Sequence, residues 1–215
     1  SYSIGAETFG GCEPISTDAE VKDRAMMKVL FVSHWFPSKD RPQRGIFIKE
    51  QAKALAQVGV DVTVLHINVG PGKGLLSQSV EQHSEEGLNI FRINLTGKLW
   101  KFVYTVYPWQ LYLVRKHLKR SKFDFSRFKL VHSHVIHPAG AIGHRLAKEH
   151  GLPHFIGEQW SNVNHYFSKF PLKAWRKQAY AGALRIFVPS KCLKKPVELL
   201  VGNPAKVHVV LNVAS

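Results

Sequence analysis

Short strand-like segments recur along this chain with helix-periodic stretches between them, and that alternation constrains the fold more than any other feature. Val29–Ser33, Val62–Ile67, Lys129–His134, Pro153–Gly157, Leu184–Pro189 and Val207–Leu211 read as strands. The apolar run Val29–Ser33 has the character of a strand covered on both faces. Ile48, Ala52, Leu55 and Ala56 fall at helical spacing, with Gly59 as the stop. Further helices are predicted over Pro138–His150, closed by Gly151, and near 172–182 and 191–201. Gln78–His83 and Asn89–Leu95 flank Gly87 as a hairpin or a pair of short strands. Alternation of this kind predicts an α/β fold, a Rossmann-like, doubly wound parallel sheet with helices on both faces. In such sheets the ligand crevice lies beyond the carboxyl ends of the strands, so functional residues are sought there.

A chain of 215 residues suits one large α/β domain. Residues 1–26 carry no sustained period, and Met26-Met27 stands just before the first strand. The expectation is a leader over 1–26, a tag or a disordered segment, followed by a domain over 27–215. No apolar run approaches the roughly 18 to 20 residues of a spanning helix, and the first residues lack a secretory pattern. A cytoplasmic location is expected, with contact at the membrane face left open. Cys12 and Cys192 lie far apart in sequence and are expected to be free thiols. The 30 Lys+Arg against 15 Asp+Glu give a formal charge of +15, compatible with nucleic acid, an anionic membrane or a phosphorylated substrate.

The loop after the first strand narrows the chemistry. It runs from Ser33-His34-Trp35-Phe36-Pro37 to Arg44-Gly45 at the start of a helix. This loop is long and holds a single glycine where a dinucleotide fold would place a tight G-x-G-x-x-G turn, and no Walker A loop is present. NAD, FAD and mononucleotide P-loop chemistry are therefore not expected. Gly45 could let a phosphate approach the free amides of the helix N-terminus, or could simply allow the chain to turn into the helix.

Further patterns along the chain carry a resemblance. MKVLFVSHWFPS at 27–38, RGIFIKEQAKAL at 44–55 and GVDVTV at 59–64 resemble the opening of retaining glycosyltransferases of the GT-B fold, family four. VHSHVIHPAGA at 131–141 is similar to that family's H-x-H-x-x-x-P-A-G segment, and EQWSN at 158–162 to its T-E-H-x-S string, with Gln159 where many members have histidine. Pro189-Ser190-Lys191 and Leu211-Asn212-Val213 resemble its closing elements. The resemblance covers about 27–215 and is thinnest through 70–125. It implies the N-terminal, acceptor-side half of a two-domain enzyme, with the donor-binding half absent. The implied substrates are a nucleotide-sugar donor and a saccharide or lipid-linked acceptor, without metal or organic cofactor. By the same resemblance Arg44 and Gly45 face the donor diphosphate, and His134 faces the reacting sugar as the catalytic histidine. His34, His137, Glu158 and Ser161 line the acceptor side. On residue chemistry alone Glu158 could equally pair with one of the many basic groups.

The segment 99–123 mixes large aromatics with a dense basic end and reads as mostly helical. Interfacial helices combine these features, with Lys and Arg meeting anionic headgroups. Phe102, Val106 and Leu113 are expected to pack in the core. Arg115, Lys116, Lys119 and Arg120 are expected to meet a membrane or an anionic acceptor. The alternative to an enzyme half is a basic α/β binding module for an anionic membrane or nucleic acid. Against nucleic acid, no recognition motif is present and the basic residues are dispersed.

Overall fold

Alternating side chains of the first strand, β1 (Lys28–Ser33), point into two different cores, which is what makes the sheet a middle layer. Leu30 and Val32 join a cluster with Leu65, Ile67, Ile93, Leu118, Val131 and Ile142. Val29 and Phe31 join the opposite one with Ile48, Ala52, Val62 and Val64. A third cluster, around Ile156, Tyr180, Ile186 and Val197, covers the far end of the sheet. The computed structural model describes residues 27–104, 106–160 and 172–211. The expected leader over 1–26, Ser161, Asn162, Asn212 and Val213 lie outside the described residues.

After β1 come α1 (Ile46–Gln57), β2 (Asp61–Gly70), β3 (Ser77–Glu85) and β4 (Leu88–Thr96). Then follow α2 (Trp100–Val103), α3 (Tyr107–Arg120), β5 (Leu130–His134), α4 (Ala141–Glu149) and β6 (His154–Gly157). The described chain closes with α5 (Leu172–Gly182), β7 (Arg185–Val188), α6 (Lys191–Val201) and β8 (Val207–Val209). One eight-stranded sheet runs in the order β3-β4-β2-β1-β5-β6-β7-β8. Every neighbouring pair is parallel except β3 with β4. That antiparallel pair is the hairpin expected around Gly87, whose φ of 79° suits the turn.

The strand order reverses between β1 and β5, which pair in register from Val29 with Leu130 to Ser33 with His134. Their carboxyl ends thus diverge into loops that leave a crevice. Gly45 shapes one wall of it. Its φ is 70°, and a Cβ there would lie 2.5 Å from the Trp35 carbonyl oxygen. The glycine is therefore required by the turn and by the close approach of the two backbone stretches.

The segment 99–123 departs from expectation in one respect. It is helical, but broken between Val103 and Tyr107, with Pro108 in the first turn of α3 where no intrahelical donor is lost. Leu113 is buried as expected, whereas Phe102 and Val106 are 79% and 48% exposed. The core-packing expectation for these two is corrected. The break re-phases the helix, so that Tyr104 and Tyr107 turn inward and Phe102 and Val106 outward.

Candidate functional site

The loop after β1 is fixed by its own side chains. Ser33 Oγ donates to the Trp35 carbonyl (2.7 Å) and accepts from the Trp35 amide (2.9 Å), which sets the indole beyond the strand end. From β4, Arg92 Nη2 donates to the Pro37 carbonyl (2.8 Å) and its Nε to His66 Nδ1 (3.0 Å). Burial and the adjacent guanidinium pull His66 down to about 3, so it is a neutral acceptor for that bond. Ser38 and Arg41 exchange two backbone hydrogen bonds, and the Arg44 amide donates to the Arg41 carbonyl. The loop is thereby a built arm that leads to α1. No side chain caps α1 and its first turn has no acidic residue, which leaves its amino end open to an anion.

The loop after β5 is held more tightly still. Val135 has φ 66° and ψ 130°, a backbone state that costs a β-branched residue on the order of 1–3 kcal/mol. Its amide donates to the Gly157 carbonyl (2.8 Å) and its carbonyl accepts from the Gly140 amide (2.9 Å). The next amide, Ile136, donates to Glu158 Oε2 (3.0 Å). The fully buried Glu158 carboxylate also accepts from the Gln159 and Trp160 amides and from Tyr180 Oη. Burial pushes this carboxyl above its ordinary value while the four donors pull it back. Glu158 is therefore spent inside the protein, fastening the loops after β5 and β6 to α5.

These loops enclose a cavity of about 400 Å³ beyond the carboxyl ends of β1, β2 and β5. Trp35, Trp100, Tyr104, Tyr107 and Trp160 supply aromatic walls, and His34, His137 and Gln110 polar ones. Arg41 and Arg44 also line it, and among the described residues no acidic side chain does. Tyr107 Oη is hydrogen-bonded to His137 Nδ1, and the two rings stack at 5.5 Å. Burial raises the phenol pKa, so Tyr107 keeps its proton. His34 is buried and held well below its ordinary value by desolvation, then by His137 and His66. Another concavity, of about 420 Å³, lies at the opposite, amino-terminal ends of β2 and β4, away from the crevice that this topology uses.

The structure thus brings together four of the sequence candidates: His34, His137, Arg44 and, through its adjacent backbone, Gly45. His134 is not on the cavity wall. Its ring is enclosed, 4.4 Å from Phe31 and 4.5 Å from His132, and neither ring nitrogen has a hydrogen-bond partner. Burial keeps it neutral. Ser161 lies outside the described residues. Arg115 pairs with Glu149, while Lys116, Lys119 and Arg120 continue one stripe of α3 that begins at the exposed Trp109 and Tyr112. Sequence reasoning missed Arg41, Trp100, Tyr104, Tyr107 and Gln110 as wall residues. The signal available for the last four was helical phase, and it was lost at the break before Tyr107.

The sequence profile of Glycosyltransferase Family 4 matches residues 45–213. The chain belongs to glycosyltransferase family 4. This family 4 chain is 23% identical over 190 residues to a Bacillus subtilis strain 168 protein, TuaC, described as a teichuronic acid biosynthesis glycosyltransferase. The match covers 84% of this chain and 49% of that protein, so the chain spans about half the length of this relative. Among solved structures it is similar to Anabaena HepE in complex with UDP, with a TM-score of 0.54 at 12% identity over 88% of this chain and 45% of that one. A UDP-GlcNAc 2-epimerase from Methanocaldococcus jannaschii gives 0.51 at 14% identity over 86% and 46%. At these identities the likeness concerns fold, and it identifies the domain as half of the GT-B architecture.

Proposed function

We propose that this family 4 domain is the acceptor-side half of a retaining glycosyltransferase that moves a hexose from a nucleotide-sugar donor to a saccharide or lipid-linked acceptor. The observation that carries the reading is the aromatic-walled cavity at the sheet's reversal point, entered by His34 and His137. Aromatic faces suit the C–H faces of sugar rings, and neutral imidazoles exchange hydrogen bonds with hydroxyls without a fixed charge. Arg44 and the open end of α1 at Gly45 would meet the donor diphosphate. His134 would support the reacting face from beneath, and Ser161 would extend the acceptor wall. Glu158 would act through the loops it fastens. The proposal calls for no metal or organic cofactor, since positioning and charge stabilisation supply the catalysis. In the test, a protein of the relatives' full length is given radiolabelled UDP-sugars and saccharide acceptors. Label should pass to the acceptor with retained anomeric configuration, while the 215-residue chain alone transfers none. Transfer with inversion, or none from any nucleotide sugar, would reject the reading.

The same proposal places the protein at the cytoplasmic face of an anionic membrane. Leu99, Phe102, Val106, Trp109 and Tyr112 are exposed along α2 and α3, with Trp109 and Tyr112 stacked at 5.1 Å. Trp100, Tyr104 and Tyr107 of the same helices line the cavity, so an acceptor held in the lipid would lie beside its mouth. Lys116, Lys119 and Arg120 extend the apolar stripe with positive charge. The chain is expected to float with vesicles containing anionic phospholipid and not with neutral ones. Phe102→Asp/Trp109→Asp should lower vesicle binding at least tenfold without changing the melting temperature. Unaltered flotation of that variant would remove the membrane face.

A further inference from the structure

The cavity holds buried polar groups behind its aromatic walls. The buried His34 ring and the Gln110 side chain lie within hydrogen-bonding reach of each other, and among the described residues neither has a further partner for its ring nitrogens or its Oε1. Gln110 Nε2 donates to the Tyr104 carbonyl (2.8 Å), which turns the amide oxygen toward His34. A buried polar pair of this kind has hydrogen-bonding capacity left for a ligand that enters. With one bond between them, the other His34 ring nitrogen and the second lone pair of the Gln110 oxygen can each take one more, a set that fits sugar hydroxyls.

The charge around them points the same way. Arg41 and Arg44 share the rim, and neither forms an ion pair among the described residues. Arg41 stands on the turn closed by its two backbone bonds to Ser38, so its position is set by the fold. Behind the wall Arg176 is completely buried on α5, with its guanidinium a charged, hydrogen-bonding neighbour of the Tyr107 phenol. Among the described residues no acid lines the cavity, so Arg41 and Arg44 leave its rim positive. An anion recognised there would receive the planar, two-pronged contact that guanidinium offers to carboxylate or phosphate.

We propose that the acceptor is an acidic saccharide, a sugar bearing a carboxylate or phosphate group, with Arg41 reading the acid and His34 and Gln110 its neighbouring hydroxyls. This inference rests on reading the cavity as the acceptor site, and it adds the substrate's charge class. Arg44 and α1 remain with the donor diphosphate.

Three of the five tryptophans, Trp35, Trp100 and Trp160, line the cavity, so intrinsic fluorescence reports its occupancy. The 215-residue chain is titrated with methyl glucuronide, glucose 6-phosphate, methyl glucoside and UDP. Methyl glucuronide or glucose 6-phosphate should bind at least tenfold more tightly than methyl glucoside, and the tighter of the two identifies the acid group. Arg41→Gln should bring that ligand to the level of methyl glucoside, while His34→Ala weakens acidic and neutral sugars alike. Equal binding of acidic and neutral sugars, no saturable binding of any sugar, or an Arg41→Gln variant that keeps the preference would overturn the inference. Displacement of the acidic sugars by UDP would also overturn it, because the arginines would then serve the donor. Undiminished transfer to an acidic acceptor by an Arg41→Gln protein of the relatives' full length would end this inference and leave the transferase reading in place.

Discussion

Replacing Glu158 by alanine is expected to lower the unfolding free energy by about 4 kcal/mol, measured as a shift in the urea midpoint at unchanged slope. The carboxylate accepts from three backbone amides and from Tyr180 Oη. An alanine removes the acceptor of the Ile136 amide and one partner of Tyr180 Oη, at about 1–3 kcal/mol each. It also releases the restraint on Val135, whose left-handed backbone persists only because its surroundings impose it. A total near 4 kcal/mol would remove much of the stability of a typical domain. A loss below about 1 kcal/mol would mean that water replaces the carboxylate and that the loops after β5 and β6 hold themselves.

The ionisation of the same group gives that result a pH signature. Burial raises the folded-state pKa of Glu158. Between the ordinary carboxylate value and the raised one, the folded protein holds more protons than the unfolded chain, so stability falls as pH rises through that window. Glu158→Gln keeps much of the shape and cannot titrate. The stability difference, wild type minus Glu158→Gln, should therefore be largest near pH 4 and decline as pH rises above it. A difference that grows with pH over the same range would mean that the four donors outweigh burial.

The sheet was legible in sequence because buried parallel strands announce themselves as apolar runs. Val29–Ser33 and Val62–Ile67 fall within the observed β1 and β2, and Lys129–His134 covers β5 with one residue to spare. The hairpin about Gly87 was equally readable, since a positive-φ glycine between two polar-alternating segments has few other uses. Trp35 and His137 were visible as loop residues because loops at strand ends carry the ligand. What was not legible depends on phase and on contacts between distant segments. A break of three residues after Val103 decides which side of α2 and α3 meets the cavity, and nothing local to Phe102 marks it as exposed. Glu158 could be read as a candidate but not as a committed one. Its partners Ile136 and Tyr180 are 22 residues away on either side and meet only through the fold.

In a protein of the relatives' full length, His137→Ala is expected to lower kcat/KM about 10²- to 10⁴-fold, the range of a lost proton-relaying or positioning group. The ring lines the cavity with its Nδ1 hydrogen-bonded to Tyr107, beside the place where an acceptor hydroxyl would lie. Tyr107→Phe removes the hydroxyl that orients this ring and should produce a smaller loss, with a shifted pH profile. His134→Ala is expected to cut turnover sharply as well, though by another route. Its ring fills space against Phe31 and His132 at the end of β5, so truncation disturbs the floor beneath the loop that carries His137 and lowers the melting temperature too. The two histidines are separated by measuring turnover per folded molecule. If the His137 variant is stable and nearly inactive while the His134 variant loses both stability and turnover, contact belongs to the first and support to the second. Near-normal turnover per folded molecule in His134→Ala would remove His134 from the site, and near-normal turnover in His137→Ala would remove the cavity as the place of reaction.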